Sequence, residues 1–113
     1  MLSQNRINSW DMEKITSIEI EHHTTNNEKS VYVLESKPEM DTVMDFLRQI
    51  DFKELDGATI ENRENNPDWK FKIICHGLRD WVFLFDNYAF IGKTTFAIDK
   101  TVVSDFEALL LKL

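Results

Sequence analysis

The side chains best equipped for chemistry in this chain are three histidines, a single cysteine and two glutamates one residue apart. His22 and His23 are adjacent, and His76 lies far downstream. A metal site needs ligands that converge, and neighbours on a strand point to opposite faces, so this pair does not chelate one ion. No Cys-x-x-Cys, His-x-x-x-His or His-Glu-x-x-His spacing occurs. Cys75 beside His76 has the composition of a thiol–imidazole couple. Strand alternation separates the two, however, and places the thiol among apolar residues as a small hydrophobe. Glu19 and Glu21 share a strand face about 7 Å apart, inside the range of inverting glycosidases. Nothing near them forms a substrate platform, and cross-strand pairing with Lys70 or Lys72 is the simpler use. The three glycines are unclustered, and neither a phosphate loop nor Gly-x-Ser-x-Gly is present. No catalytic residue, cofactor or metal ligand is therefore assigned.

These residues sit on elements that can be read from periodicity. Residues 1–11 are polar and read as a loose N-terminal segment. From Lys14 to Glu21 the chain alternates, with Ile18 and Ile20 on one face and Glu19 and Glu21 on the other, as in a half-buried strand. Asn26-Asn27 marks a hairpin loop, and Val31–Leu34 returns as the second strand. Ser36-Lys37-Pro38-Glu39 predicts a helix start, with Ser36 accepting from free amides and Pro38 in the first turn. Met40, Val43, Met44, Leu47 and Ile50 then recur at helical spacing. Phe52–Leu55 fits a short edge strand. Residues 57–68, with Gly57, three Asn and Pro67, form the longest irregular segment.

An aromatic hairpin follows, from Trp69 to Phe85. Trp69, Phe71, Ile73 and Cys75 alternate with Lys70, Lys72, Ile74 and His76; Trp81, Phe83 and Phe85 alternate with Val82, Leu84 and Asp86. A two-residue turn at Gly77-Leu78 pairs Ile74 with Trp81 and puts the aromatic rows on opposite faces. A three-residue turn, Gly77-Leu78-Arg79, pairs Cys75 with Trp81 and Ile73 with Phe83, so all large side chains share one face. Burial favours the second register. Asp86-Asn87 and Gly92-Lys93 suit two further tight turns, the latter using positive φ at Gly92. Asp99 or Thr101 can cap a last helix with an apolar stripe of Val102, Val103, Phe106, Leu109, Leu110 and Leu113.

The order β-β-α-β-β-β-β-α predicts an α+β fold, an antiparallel sheet packed with two helices, over one domain, residues 1–113. Opposite the aromatic row, Ile74, Val82, Leu84, Ala89, Ile91, Phe96 and Ile98 line a second apolar face. Either the helices cover different faces, which is the expectation here, or a second chain closes one of them.

Hydrophobic residues make up 42% of the 113 residues and charged residues 29%, a globular composition. The net charge of −7 opposes phosphate backbones, which argues against nucleic acid as a partner. One cysteine excludes an internal disulfide. No stretch is long and apolar enough to span a bilayer, and Met1–Trp10 has no apolar signal core. As the chain stands it reads as cytoplasmic, or as an extracellular lipoprotein type if a signal segment has been removed.

Ile18-x-Ile20, the run Asn66-Pro67-Asp68-Trp69-Lys70-Phe71-Lys72-Ile73, the Trp81-centred strand and Ser104-x-Phe106-x-x-Leu109-Leu110 together resemble the YhfM-like domain. That family of roughly 100-residue modules occurs in small lipoproteins of Bacillus and relatives, and the likeness spans about residues 12–113. Those lipoproteins carry an N-terminal signal with a lipid-modified Cys, which this chain lacks. The family has no established activity, so the resemblance implies no catalytic residue.

The functional expectation is a small bacterial, non-enzymatic protein-binding domain. Its contact residues would be Glu61, Glu64 and Asp68 around the long irregular segment, or Ile74, Val82 and Leu84 on the second apolar face. That face would also serve if the chain forms a homodimer. The alternatives are an immunity-type inhibitor of a basic toxin and a small hydrolase using surface carboxylates or histidines.

Overall fold

The computed structural model describes residues 7, 10–23, 28–54, 70–78, 81–92 and 94–113. Among these, seven strands form one antiparallel sheet accompanied by two helices, the α+β class the periodicity predicts. The strands are β1 (Ser17–His23), β2 (Lys29–Leu34), β3 (Lys53–Glu54), β4 (Phe71–His76), β5 (Trp81–Leu84), β6 (Tyr88–Ile91) and β7 (Thr94–Ala97). Helix α1 spans Lys37–Gln49 and α2 spans Thr101–Leu111. Across the sheet the order is β2-β1-β4-β5-β6-β7-β3. Four of the six consecutive strand pairs are thus neighbours, and the exceptions are the steps into and out of the β3 edge, the first of which runs through α1. The α1 connection carries the chain from the β2 edge to the β3 edge, roughly 29 Å across six strand spacings. The 13 residues of α1 supply about 20 Å of that span.

Local chemistry sets the helix ends. Glu39 N donates to Ser36 Oγ at 3.4 Å, while Ser36 Oγ donates to the Glu39 carboxylate at 2.9 Å. Pro38 occupies the first turn, as the capping pattern requires. At α2 it is Asp99 that caps, its carboxylate accepting from Thr101 N at 2.9 Å. The amide and hydroxyl of Thr101 hold the Asp99 carboxyl below its usual range.

Both helices contribute to one core. Val43, Met44 and Leu47 of α1 and Val102, Val103, Phe106 and Leu110 of α2 are buried with Ile18, Ile20, Phe71, Ile73, Cys75, Val82, Leu84, Ala89, Ile91 and Phe96 of the sheet. The expectation that the helices cover different faces is thereby corrected. Leu113, expected in the α2 stripe, lies past the end of the helix and is 40% exposed. Ile7 is fully buried in the same core, so the segment expected to be loose anchors at least this residue. The expected irregular segment 57–68 and Trp69 lie outside the described residues.

The hairpin register is also corrected. Ile74 stands opposite Trp81, Ile73 opposite Val82, Lys72 opposite Phe83 and Phe71 opposite Leu84. This is the pairing of the shorter turn, and it sends the aromatic rows to opposite faces. Trp81, Phe83 and Phe85 join Tyr88 and Phe90 in a separate cluster to which neither helix contributes. Phe83, Phe85 and Phe90 are nevertheless only 2%, 1% and 0% exposed. The expectation failed because it counted burial on one face alone. Here both faces bury apolar side chains, so gathering every aromatic on one side holds no advantage.

Candidate functional site

On the face away from the helices, the strand registers align side chains in rows. One row runs Val33, Glu19, Ile74 and Trp81; the next runs Val31, Glu21, Lys72, Phe83, Phe90 and Thr95. Alternation forces this composition. With Ile18 and Ile20 turned to the helices, Glu19 and Glu21 and their cross-strand partners must lie on the other side. The result is a strip of β2, β1 and β4 carrying aliphatic and charged groups, continued by the aromatic cluster on β5 and β6.

The charges on this strip are matched internally. Glu21 Oε1 lies 3.0 Å from Lys29 Nζ, and its other oxygen 3.9 Å from Lys72 Nζ. The expected cross-strand use of Glu21 with Lys72 is thus observed. Lys72 also stands over the Phe83 ring, 5.6 Å from its centroid. Glu19 Oε1 lies 3.2 Å from His76 Nε2. Both glutamates face a cationic or hydrogen-bonding partner, an arrangement suited to fixing a surface and not to a shared proton.

The histidines go to three places. His22 turns toward the helices, stacks on Phe71 with centroids 4.4 Å apart, and sets Nε2 3.7 Å from Glu107 Oε1 on α2. It lines a cleft of about 80 Å³ with Tyr32, Glu107, Leu110 and Leu111. That is well below the roughly 300–1,000 Å³ of small-molecule sites. His23 points to the other face, where burial first, and then Lys29 and His22, lower its pKa against the opposing pull of Glu21. His76 is on the exposed strip. Among the described residues no group of three or more His, Cys, Asp or Glu is placed to hold a metal ion. Two further clefts, of about 250 and 220 Å³, lie beside Asp51, Lys53 and Asp99 and beside Lys70 and Asp86–Tyr88.

Cys75 and His76 are separated by the sheet, as alternation predicts. Cys75 is fully buried, its Sγ 3.9 Å from the Met44 sulfur, and burial pushes the thiol up to about 12. The thiolate is the reactive form, so iodoacetamide at pH 8 is expected to leave the folded chain unlabelled and to modify Cys75 after denaturation. Rapid native labelling, read by mass spectrometry, would contradict this burial.

Of the expected contact residues, Val82 and Leu84 are fully buried under the helices and form no surface. A homodimer through an Ile74/Val82/Leu84 face is therefore corrected, since Ile74 lies on the opposite side. Ile74 alone of the three belongs to the strip. Glu61, Glu64 and Asp68 lie outside the described residues. Val31 and Val33 join the strip because residues opposite Glu21 and Glu19 in the hairpin share their outward face.

Comparisons with family models, with curated proteins and with solved structures returned no match.

Proposed function

We propose that this chain is a protein-binding domain whose partner contacts the strip formed by Glu19, Lys72, Ile74 and His76. The observation that carries this reading is the row Val33–Glu19–Ile74–Trp81, which joins apolar and charged groups on a sheet face to which neither helix contributes. A surface of mixed character, with charges already oriented by neighbours, suits protein recognition. There a few apolar anchors provide affinity and surrounding polar groups provide register. Because Glu19 and Glu21 face His76, Lys29 and Lys72, the strip does not call for a strongly basic partner. The toxin-inhibitor alternative rests on Glu61, Glu64 and Asp68. At the His22–Glu107 cleft the hydrolase alternative has little room for a substrate. Among the described residues no helix is long and apolar enough to cross a membrane.

The test is affinity capture with the full chain, followed by titration calorimetry on the purified partner. Ile74→Lys is expected to weaken binding by at least about tenfold, as loss of an apolar anchor does. Lys37→Glu, on the exposed side of α1, should leave it unchanged. Equal binding by Ile74→Lys and the unaltered chain would place the contact elsewhere.

A further inference from the structure

The two edges of the sheet differ. One ends in β3, two residues long and charged throughout, a common way of blunting an edge. The other ends in β2, six residues long, with no charge between Lys29 and Glu35. Val31 and Val33 on this strand are 51% and 56% exposed.

Backbone hydrogen bonding shows which groups this edge presents. His23 N donates to Lys70 O at 2.9 Å, which turns the odd-numbered β1 residues toward β4. Even-numbered β1 residues therefore bond β2, where their partners are Ser30, Tyr32 and Leu34. Lys29, Val31 and Val33 then direct their peptide groups outward. The exposed large hydrophobics among the described residues are these two valines together with Leu111 and Leu113 at the end of α2. Leu111, 85% exposed, lines the small cleft with Tyr32 of β2 and so lies at the same edge.

We propose that β2 pairs antiparallel with β2 of a second copy of this chain, extending the sheet across a two-fold axis at Tyr32. Charge selects this occupant and this register. Outward peptide groups match when Val31 faces either itself or Val33 of the other copy, or when Val33 faces itself. Only Val31 opposite Val33 sets Lys29 against Glu35 of the other copy, twice by symmetry. Val33 opposite itself instead sets Lys29 against Lys37. In the selected register the valines cover each other on one face. On the other face the two Tyr32 rings meet, with Leu111 of each copy beside them. An isologous contact of this kind closes on itself and does not propagate.

Val33 belongs both to the row at the strip and to the β2 edge, but Ile74 lies two strands in from that edge, so Ile74→Lys should leave self-association intact. Sedimentation of the full chain from micromolar to near-millimolar concentration is expected to show a monomer–dimer equilibrium. Val33→Lys, present twice at the interface, should weaken the dimer by about tenfold or more. Lys29→Glu and Glu35→Lys should each weaken it, and the double exchange should restore it. Circular dichroism confirms that each variant is folded. As a second measurement, Tyr32→Cys should form a disulfide-linked dimer on mild oxidation. Facing non-hydrogen-bonded residues have Cα atoms about 4.5 Å apart, within disulfide reach. Val33→Cys, opposite Val31, should cross-link far less. A chain that stays monomeric throughout, a Val33→Lys dimer as tight as the original, or a double exchange no better than either single change would overturn the proposal.

Discussion

Phe106→Ala is expected to lower the unfolding free energy by about 3–5 kcal/mol, the range for truncating a buried phenylalanine. Phe106 is fully buried and meets Phe71 of β4 edge to face, with centroids 4.8 Å apart and an 83° interplanar angle. It also packs on Phe46 of α1 at 5.2 Å, so one ring joins both helices to the sheet. Alanine would remove the apolar contact and leave a cavity that three separate elements would have to close together. Small domains have only about 5–15 kcal/mol in total, so roughly a fifth or more of the stability is at stake. Urea denaturation should show a lower midpoint with an unchanged slope. A loss below about 1 kcal/mol would mean that α2 does not seat on the sheet through this ring.

Gly77→Ala is expected to cost about 3 kcal/mol or more, for two reasons that add. Gly77 adopts φ +101°, a conformation that side chains with a Cβ rarely take. A Cβ there would also overlap the backbone carbonyl of Lys14, the last residue of the turn capped by Asp11. That carbonyl belongs to main chain held by Thr16 N donating to His76 O at 2.9 Å, so it cannot swing aside as a flexible side chain would. Thermal denaturation against the unaltered chain measures the effect. A variant with unchanged melting temperature would show that the Gly77 turn does not pack against residues 14–16.

The features legible in the sequence were those decided by near neighbours. Ser36 and Glu39 are three residues apart and cap α1 as read, and Asp86-Asn87 makes the β5–β6 turn, with Phe85 N donating to Tyr88 O. The fold class followed from the same local periodicities. Harder to read were features that depend on distant strands. The exposure of Val31 and Val33 follows from β2 being an edge, and that position is set only when β4 takes the other side of β1. Burial of Ile7 gave no signal, because it stands between polar neighbours in a stretch with no sustained apolar period. The β4–β5 register failed for a similar reason. Choosing between turn lengths required knowing that Val82 and Leu84 would meet the helices while Phe83 and Phe85 met Phe90, a pairing made only when β6 is in place. Ile74 was named among the contact residues, but its place in the strip became clear only with that register.

The assignment of side chains to the two sheet faces underlies the proposed binding strip, and the β4–β5 register tests it most directly. Phe85 N donates to Tyr88 O, so the odd-numbered β5 residues bond β6 and the even-numbered ones bond β4. Lys72–Phe83 and Ile74–Trp81 are then non-hydrogen-bonded pairs, whose Hα atoms approach most closely. A nuclear Overhauser spectrum of the folded chain should show strong Hα–Hα cross-peaks for these two pairs. Cross-peaks joining Ile74 to Val82 or Lys72 to Leu84 in their place would shift the strand by one residue, return Trp81 and Phe83 to the helix-covered face, and break the Val33–Glu19–Ile74–Trp81 row that carries the proposed function.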